Sequence, residues 1–322
     1  MAPPDRDRRP ILCGEVRTSV LRTSEALTAR TAAQLLNLRP DEHVLLSERP
    51  NLRVASPQLL TGVDCRLPSL NGSRPRAVGT VAARAVLTEG RVLQASAFAR
   101  LVPGGGDHRK PWGHYLLRPG VVEPLGRHQD GEFTEGFLAA APLPGGVLNP
   151  GAVAERLLDE VLRHRLLDQR APFKSGRTRL RWVALPAAGD GVTSIERFTV
   201  AADGLRTVAL RVAPADPSAV AALCEDLALH DWLLTTLVAL VERSRLGSGD
   251  REAVLTALRP VVDHLLHLWM PGARVPDVLS GVWETLERRP GFSRQWQALV
   301  QRIRDQVALQ TVSLPRPVLA DS

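Results

Sequence analysis

Apolar and polar residues repeat with two different periods along the chain, and the period changes near Pro214. Before that residue, Ile11–Leu21, Val78–Leu87 and Arg91–Val102 are rich in β-forming residues. The last two flank the turn Thr88-Glu89-Gly90, which predicts a β-hairpin. After Pro214 the apolar residues recur at helical spacing. The pattern therefore predicts a strand-rich region followed by a helical one.

Two helices and a second hairpin complete the first region. Thr28–Leu38 has apolar residues on or near one helical face. Asn149 is a good helix cap with Pro150 at the first helical position, which predicts a helix over residues 150–165. Ile195–Ala201 and Leu205–Val212 predict a hairpin across an Asp-Gly turn.

The second region reads as four helical segments joined by short Pro/Gly turns. Asp216-Pro217 is a cap-and-start pair, and the helix that it begins is predicted to run to Leu246. Because this helix is apolar on most faces, we expect it at the buried centre of a C-terminal helical bundle. The other segments are 251–270, with Pro260 inside, 276–288 and 293–312.

These elements predict an α+β fold, with an N-terminal, mostly antiparallel β region and a C-terminal helical bundle. The predicted organisation is a disordered N-terminus (1–10), an α+β region (11–212), a helical region (213–312) and a disordered C-terminus (313–322). Residues 177–212 are compatible with packing against either region.

Positive charge is abundant but dispersed. The formal net charge is +7, and Lys110 and Lys174 are the only lysines, so arginine supplies almost all of the positive charge. We attribute this excess to a GC-rich bacterial coding sequence rather than to a polyanion-binding surface, since no run of five or six basic residues occurs. Arg177, Arg179 and Arg181 on one strand face leave nucleic-acid binding as an alternative that we do not favour.

Cysteine usage and hydropathy predict a cytoplasmic protein. The three cysteines are isolated and odd in number, which is a poor disulfide framework and fits reduced thiols. The N-terminus has no long apolar segment of a signal peptide. The most apolar window, Trp232–Val241, is too short to span a bilayer, so we expect no membrane insertion.

Asp263, His264 and His267 form the first candidate for chemistry. The histidines are three residues apart on one predicted helix, and Asp263 lies four residues before His267, a spacing that can hold a divalent metal. No His-Glu-x-x-His motif occurs. We therefore favour a structural role, in which the histidines fill polar gaps in an apolar helix, and expect no resident metal or cofactor.

Residues 225–231 contain four polar side chains on an otherwise apolar helix and form the second candidate. A carboxylate here could orient His230 as a general base, with Asp231 beside it. We favour a structural role for these groups also, because a buried charge needs a partner. For Asp231 we expect that partner to be Arg259 or Arg274, which flank the next helical segment.

Two further features allow a binding role. Gly104–Trp112, in the loop-rich segment 103–150, has the composition of an anion-binding loop but lacks the order of residues of a phosphate-binding P-loop. We favour a flexible connection there. Trp269, Trp283 and Trp296 in the helical region either pack in the core or in part face a partner.

Five stretches together resemble an uncharacterised protein family of Streptomyces and related actinobacteria that has no established activity. They are Ile11–Arg17, Leu60–Cys65, Cys224–Thr236, Asp263–Arg274 and Arg289–Trp296. The resemblance covers nearly the whole chain. It implies a bacterial cytoplasmic setting and membership of a multi-protein system in which one gene neighbour is a variant P-loop protein, and it assigns no functional residue.

A non-enzymatic interaction or adaptor subunit of a bacterial multi-protein system is therefore the function that we favour. It rests on the lack of a recognisable catalytic motif, and a variant P-loop NTPase-like protein is the partner that the resemblance implies. One alternative is a metal-dependent enzyme centred on His264 and His267. The other is an arginine-based nucleic-acid-binding protein.

Overall fold

A computed structural model describes most of the chain, and its centre is one ten-stranded sheet with helices on both faces. The described residues are 10–70, 74–103, 106, 108–126, 128–139, 142–188, 191–244 and 251–311. The ends predicted to be disordered lie outside these residues, apart from Pro10.

Ten strands form the sheet: β1 (Ile11–Val20), β2 (Leu45–Ser47), β3 (Arg53–Ala55), β4 (Leu59–Arg66), β5 (Arg76–Thr88), β6 (Val92–Leu101), β7 (Val121–Pro124), β8 (Thr178–Pro186), β9 (Ser194–Val200) and β10 (Leu205–Val212). Their order across the sheet is β2-β3-β5-β7-β6-β1-β8-β10-β9, and β4 also pairs with β5. This order places the first strand of the chain near the middle of the sheet.

Antiparallel pairing dominates, as predicted, and both predicted hairpins are confirmed. Among the described strands, only β6 with β7 and β8 with β10 run parallel. The β5–β6 turn contains Glu89 and Gly90 with φ of 48° and 59°, and the β9–β10 turn contains Gly204 with φ of 78°. This left-handed backbone is typical of tight hairpin turns.

The helices begin close to their predicted caps. Thr28 accepts a hydrogen bond from Thr31 N, Asn149 from Ala152 N and Asp216 from Ser218 N. Among the described residues, no helix is both long and apolar enough to cross a bilayer. The helices are α1 (Ala29–Leu36), α2 (Trp112–Leu116), α3 (Asp130–Leu138), α4 (Pro150–Leu162), α5 (Pro217–Arg243), α6 (Arg251–His264), α7 (Gly281–Arg288) and α8 (Phe292–Thr311).

The segment 103–150, predicted as loops, contains three short elements: α2, β7 and α3. None of them exceeds nine residues, so their periodicity is too short to stand out among the glycines and prolines around them. Tertiary packing stabilises them instead, since Tyr115, Phe133 and Phe137 are buried.

The sheet separates two hydrophobic cores because its strands alternate their side chains between the faces. In β1, Leu12, Val16 and Val20 face one core, whereas Ile11 and Cys13 face the other. α5 lies over β1, β6 and β8 on the first face, and α6 and α8 pack against α5. α4 lies over β1, β5 and β6 and α1 over β3 and β5 on the second face, where α3 contacts β8 and β10.

The expected C-terminal helical bundle is not confirmed, because the sheet forms one wall of the core around α5. Trp182 of β8 and Val208 of β10 belong to the same buried cluster as Leu227 and Trp232 of α5. A helix that is apolar on most faces must be covered on opposite sides, and here a sheet and other helices cover it. Residues 177–212, left open by the sequence, contribute three strands to the sheet.

Candidate functional site

Four polar side chains of α5, the second candidate from the sequence, lie in the interior between the helix and its neighbours. We call Glu225, Asp226, His230 and Asp231 the α5 cluster. Glu225, His230 and Asp231 are buried, and Asp231 is 6% exposed. Buried polar groups destabilise a protein unless partners satisfy them, so their partners decide what this cluster can do.

Glu225 is held by two arginines that project from the sheet. Arg84 of β5 donates from Nε and Nη2 to the carboxylate at 2.7 and 2.8 Å, and Arg53 of β3 donates from Nη2 at 2.5 Å. Burial alone would raise the pKa of Glu225, but the charges of Arg84 and Arg53 outweigh burial and keep that pKa below its ordinary value. Glu225 is therefore an anionic link between α5 and two strands.

His230 has a partner on each ring nitrogen. Nδ1 donates to the carbonyl oxygen of Asp226 at 2.7 Å, and Nε2 accepts from the backbone N–H of Met270 at 3.2 Å. The rings of Trp269 and Trp283 meet the imidazole edge-on at 5.1 Å between centroids. Burial lowers the pKa of His230, so the ring is neutral near pH 7. It holds the backbone at Met270 in place and has no free nitrogen to act as a base.

Asp226 also connects α5 to the helical segments that follow. Its Oδ2 accepts from the backbone N–H of Gly272 and from Nε1 of Trp283, each at 2.9 Å. Trp269 and Trp296 stack at 4.4 Å between ring centroids. Trp283 and Trp296 are buried in the α5 core, and Trp269 packs against it. Of the two readings of these tryptophans, the structure supports core packing.

Asp231 is paired with Arg206, which is neither of the two arginines predicted from the sequence. Oδ2 lies 2.8 Å from Nε of Arg206, which comes from β10, and Arg206 also donates to Oγ1 of Thr235 at 2.8 Å. Burial raises the pKa of Asp231 although the charge of Arg206 opposes this rise. The expected partners, Arg259 and Arg274, are wrong. Those two arginines flank the next helical segment, whereas Arg206 comes from β10, a strand whose side chains face the core around α5.

The two rejected arginines have other partners. Arg259 lies 3.3 Å from Asp263 on its own exposed helical face. Arg274 reaches the β2–β3 hairpin, where it donates to Oγ of Ser47 at 3.0 Å and to Oδ1 of Asn51 at 2.9 Å. Arg274 therefore joins the C-terminal region to the N-terminal hairpin.

The proposed metal ligands do not converge on a common point. α6 ends at His264, and His267 lies in the 3-10 turn Leu266–Leu268, so the continuous helix that would have aligned the two histidines is absent. The ring of His264 stacks on Phe173 at 6.4 Å between centroids, and Asp263 faces Arg259. Over the described ranges, no group of three His, Cys, Asp or Glu side chains is placed to hold a metal ion.

The Arg177, Arg179 and Arg181 side chains do not form an open cationic face. Each has an anionic partner within 2.9 Å, and the buried Arg181 also donates to the carbonyl oxygen of Phe137 in α3. The carboxylates that pair with these arginines and with neighbouring Arg17 are Glu15, Glu155, Asp159 and Asp203. Arg177, Arg179 and Arg181 are thus all paired with carboxylates, so none of the three is free for a phosphate backbone.

A different surface combines exposed apolar side chains with unbalanced charge. Trp112 and Leu116 of α2 and the adjoining Leu117 are 38%, 56% and 84% exposed. We call these three residues and the charged side chains around them the α2 surface. Those described side chains are four cations and two carboxylates: Arg76, Arg109, Lys110, Arg118, Asp64 and Glu123.

Glu123 anchors one side of the α2 surface. It is buried on β7, and its Oε1 lies 2.8 Å from Nε2 of His114 and forms an ion pair with Arg118, while Oε2 lies 3.4 Å from Nζ of Lys110. Burial alone would raise the pKa of Glu123, but the hydrogen bond from His114 and the charges of Lys110 and Arg118 lower it. The carboxylate therefore orders several cationic side chains around α2.

On the other side of this surface, Asp64 of β4 receives two hydrogen bonds from Arg76, each at 2.7 Å, and lies 3.4 Å from Arg109. The guanidinium of Arg109 in turn stacks over the ring of Trp112 at 5.0 Å from its centroid. Trp112 also lies over Gly62, where an added Cβ would be 3.3 Å from the ring. Trp112 is thus held in place by β4 and by Arg109.

Sequence reasoning missed the α2 surface because it treated Gly104–Trp112 as a flexible connection. One available signal was the pair Leu116-Leu117, two large apolar residues beside a Pro-Gly turn. Another was Lys110, one of two lysines in a chain that otherwise uses arginine.

Comparison with known proteins gives no match among family models, curated proteins or solved structures. The resemblance to an actinobacterial family therefore stays a prediction. Function has to be inferred from the α5 cluster, whose groups are satisfied by other parts of the chain, and from the α2 surface, whose large apolar side chains are exposed.

Proposed function

We propose that this protein is a non-enzymatic interaction subunit that binds a protein partner through the α2 surface. The observation that carries this proposal is that Trp112, Leu116 and Leu117 are exposed within one segment of six residues whose flanking cations pair with Asp64 and Glu123. Exposed apolar residues next to one another are typical of binding surfaces, whereas single ones are ordinary.

The charge of this surface specifies the partner's chemistry. Its described side chains carry an excess of two positive charges, since four cations face two carboxylates. An acidic segment with its own apolar side chains would complement both the border and the centre. Apolar contact would supply most of the affinity, and the charges would guide association and orientation.

Nucleic acid fits this surface less well. A base stacks on a free aromatic face, but Trp112 already packs against Arg109 and Gly62. Leu116 and Leu117 are more exposed than Trp112 and offer nothing to a phosphate backbone. The Arg177, Arg179 and Arg181 side chains, which motivated this alternative, are neutralised by carboxylates.

Enzymatic readings have less support from the candidate residues. His230 and Asp231 are buried, and both nitrogens of His230 are engaged within the chain. Asp263 pairs with Arg259 and the His264 ring stacks on Phe173, and across the described residues no group of three potential ligands is placed to hold a metal ion. His230 lines a small cleft, but its engaged nitrogens leave no free base there.

The test compares two matched substitutions in binding assays with the variant P-loop protein that the resemblance implies, and in pull-downs from extract of the native host. Leu117→Asp places a charge that repels an acidic partner at the most exposed apolar residue of the α2 surface, whereas Val262→Asp changes an apolar residue of α6 that is 52% exposed. We expect Leu117→Asp to weaken partner binding at least about tenfold. Val262→Asp should leave binding unchanged.

Both variants should keep the unfolding free energy of the wild type to within about 0.5 kcal/mol, which separates lost binding from lost folding. Equal binding by wild type and Leu117→Asp would contradict the proposal. Salt-sensitive binding to single-stranded or duplex nucleic acid that Arg109→Gln removes would instead favour the nucleic-acid alternative.

A further inference from the structure

A pocket lies at one end of the sheet face that α5 covers, where the linker from β10 to α5 leaves the sheet. Its volume is about 220 Å³, and it is open to solvent. For comparison, an apolar cavity of about 150 Å³ is large enough to bind benzene. The pocket therefore has room for a small organic molecule.

Three neighbouring strands form the floor of this pocket. Leu12 of β1 is paired with Arg100 of β6 on one side and with Ala184 of β8 on the other. Residues directly opposite each other in antiparallel strands project from the same face of the sheet. Leu12 and Ala184 belong to the core around α5, so the side chain of Arg100 also projects from that face.

The other walls of the pocket are apolar and contain few hydrogen-bonding groups. Val212 ends β10, and Ala213 and Ala215 belong to the linker that follows it. Prolines make up four of the ten lining residues, and they lack a backbone N–H and fix φ: Pro10, Pro186, Pro214 and Pro217. Apolar walls of limited flexibility favour an apolar ligand that binds with little rearrangement.

Arg100 is the only charged residue among the described residues that line the pocket. Its side chain is half-buried, and within the described chain its guanidinium forms neither a hydrogen bond nor an ion pair. A guanidinium carries a positive charge and five N–H donors. One charged group with free donors, beside apolar walls, is suited to a ligand with one anionic end and an apolar body.

The start of α5 is close in sequence to the lining residues but has its own partners. Asp216 caps the helix by accepting from Ser218 N at 2.6 Å, and over the described residues no ion pair joins Asp216 to Arg100. The next two N–H groups of the helix donate to the carbonyl oxygen of Asp216. Arg100, and not the helix N-terminus, is therefore the group that is available to an anion.

We propose that this pocket binds a small apolar molecule with one carboxylate, and that Arg100 pairs with the carboxylate. The planar guanidinium can donate two parallel hydrogen bonds to the two carboxylate oxygens. The apolar body of the ligand covers Leu12 and Val212. The pocket shares no lining residue with the α2 surface, so the inference holds whether or not that surface binds a protein.

The test uses benzoate and hexanoate as probes, one with an aromatic and one with an aliphatic body. Because binding stabilises the folded state, a ligand raises the thermal midpoint of unfolding. Acetate, which has the carboxylate without the body, and benzyl alcohol, which has a body without the charge, are the control ligands. At constant ionic strength, benzoate, hexanoate or both should raise the midpoint of the wild type more than either control ligand does.

Substitutions of Arg100 test its role as the anchor. Arg100→Gln should weaken the apparent affinity for the acids at least about tenfold and leave the response to benzyl alcohol unchanged. Arg259→Gln, which removes an exposed arginine of α6, should respond as the wild type does. Arg100→Lys covers the case in which Arg100→Gln folds poorly. It keeps the charge but loses the planar fork, so its affinity should lie between those of the other two proteins.

The position of the ligand is tested by nuclear magnetic resonance. Titration with the tighter-binding acid should shift the amide signals of Leu12, Ala184 and Ala213, and these shifts should need higher concentrations in Arg100→Gln. A preference for benzoate identifies a flat ring as the apolar body, and a preference for hexanoate identifies a chain. No stabilisation by either acid, equal stabilisation by acetate or benzyl alcohol, or an unchanged response in Arg100→Gln would overturn the proposal.

Discussion

The α5 cluster and the α2 surface both concentrate charged side chains, but different partners neutralise them. In the α5 cluster, Glu225 and Asp231 each pair with arginines of the sheet, and His230 uses both nitrogens on backbone groups. On the α2 surface, two carboxylates face four cations, and large apolar side chains remain exposed beside them.

This difference separates polar residues that hold the fold together from residues that are available to a ligand. The α5 cluster is conspicuous in the sequence because charged residues interrupt an apolar helix. These charged residues attach α5 to the sheet. The α2 surface is inconspicuous in the sequence, yet its apolar and cationic groups lack a full complement within the described chain. The proposed binding role therefore rests on the α2 surface and not on the α5 cluster.

The largest effect should come from removing Glu225. Glu225→Ala strands Arg53 and Arg84 next to α5, so it should lower the unfolding free energy by about 3–5 kcal/mol, measured by denaturant titration. The matched deletion on the α2 surface, Asp64→Ala, should lower it by less than about 1 kcal/mol, because Asp64, Arg76 and Arg109 are in contact with solvent. Similar losses in the two variants would break the contrast between the regions.

A somewhat smaller loss is expected at Asp231. Asp231→Ala should lower the unfolding free energy by about 3 kcal/mol, since Arg206 is left without its carboxylate but keeps the hydroxyl of Thr235. The double variant Asp231→Ala/Arg206→Leu should recover part of this loss, because it removes the stranded charge. A loss below about 1 kcal/mol for Asp231→Ala would mean that the carboxylate is solvated and free for a ligand.

The smallest of the expected effects is the change of the unfolding free energy with pH that His230 causes. Burial lowers its folded-state pKa below the ordinary value of 6.5, so the unfolded chain binds more protons as the pH falls through about 6.5. The unfolding free energy should therefore decrease below about pH 6.5, until the folded-state pKa is reached, and should be at its full value above it. Denaturant titrations at several pH values should give a flatter profile for His230→Gln.

His264 provides the control for this pH dependence. Its pKa is also lowered, mainly by burial, but its ring is only half-buried, so His264→Gln should remove less of the slope than His230→Gln does. An unchanged slope in His230→Gln would show that His230 is solvated in the folded protein.

Local sequence signals predicted local structure well. The caps at Asn149 and Asp216 and the Glu89-Gly90 turn depend on residues within a few positions of one another, so the chain itself specifies them. The exposed cluster on α2 was not predictable in the same way. Its partners Gly62, Asp64 and Arg76 come from strands that are brought beside α2 only by the fold.

By itself, the sequence determined the fold class, most element boundaries and the need of buried charges on α5 for partners, because these depend on periodicity, capping and desolvation. The tertiary structure decided which partners they have. α5 packs against the sheet and is not the central helix of a separate bundle. Arg206 therefore reaches Asp231, and Arg53 and Arg84 reach Glu225. Contacts between residues far apart in sequence depend on strand order and helix placement, and no local pattern encodes either of them.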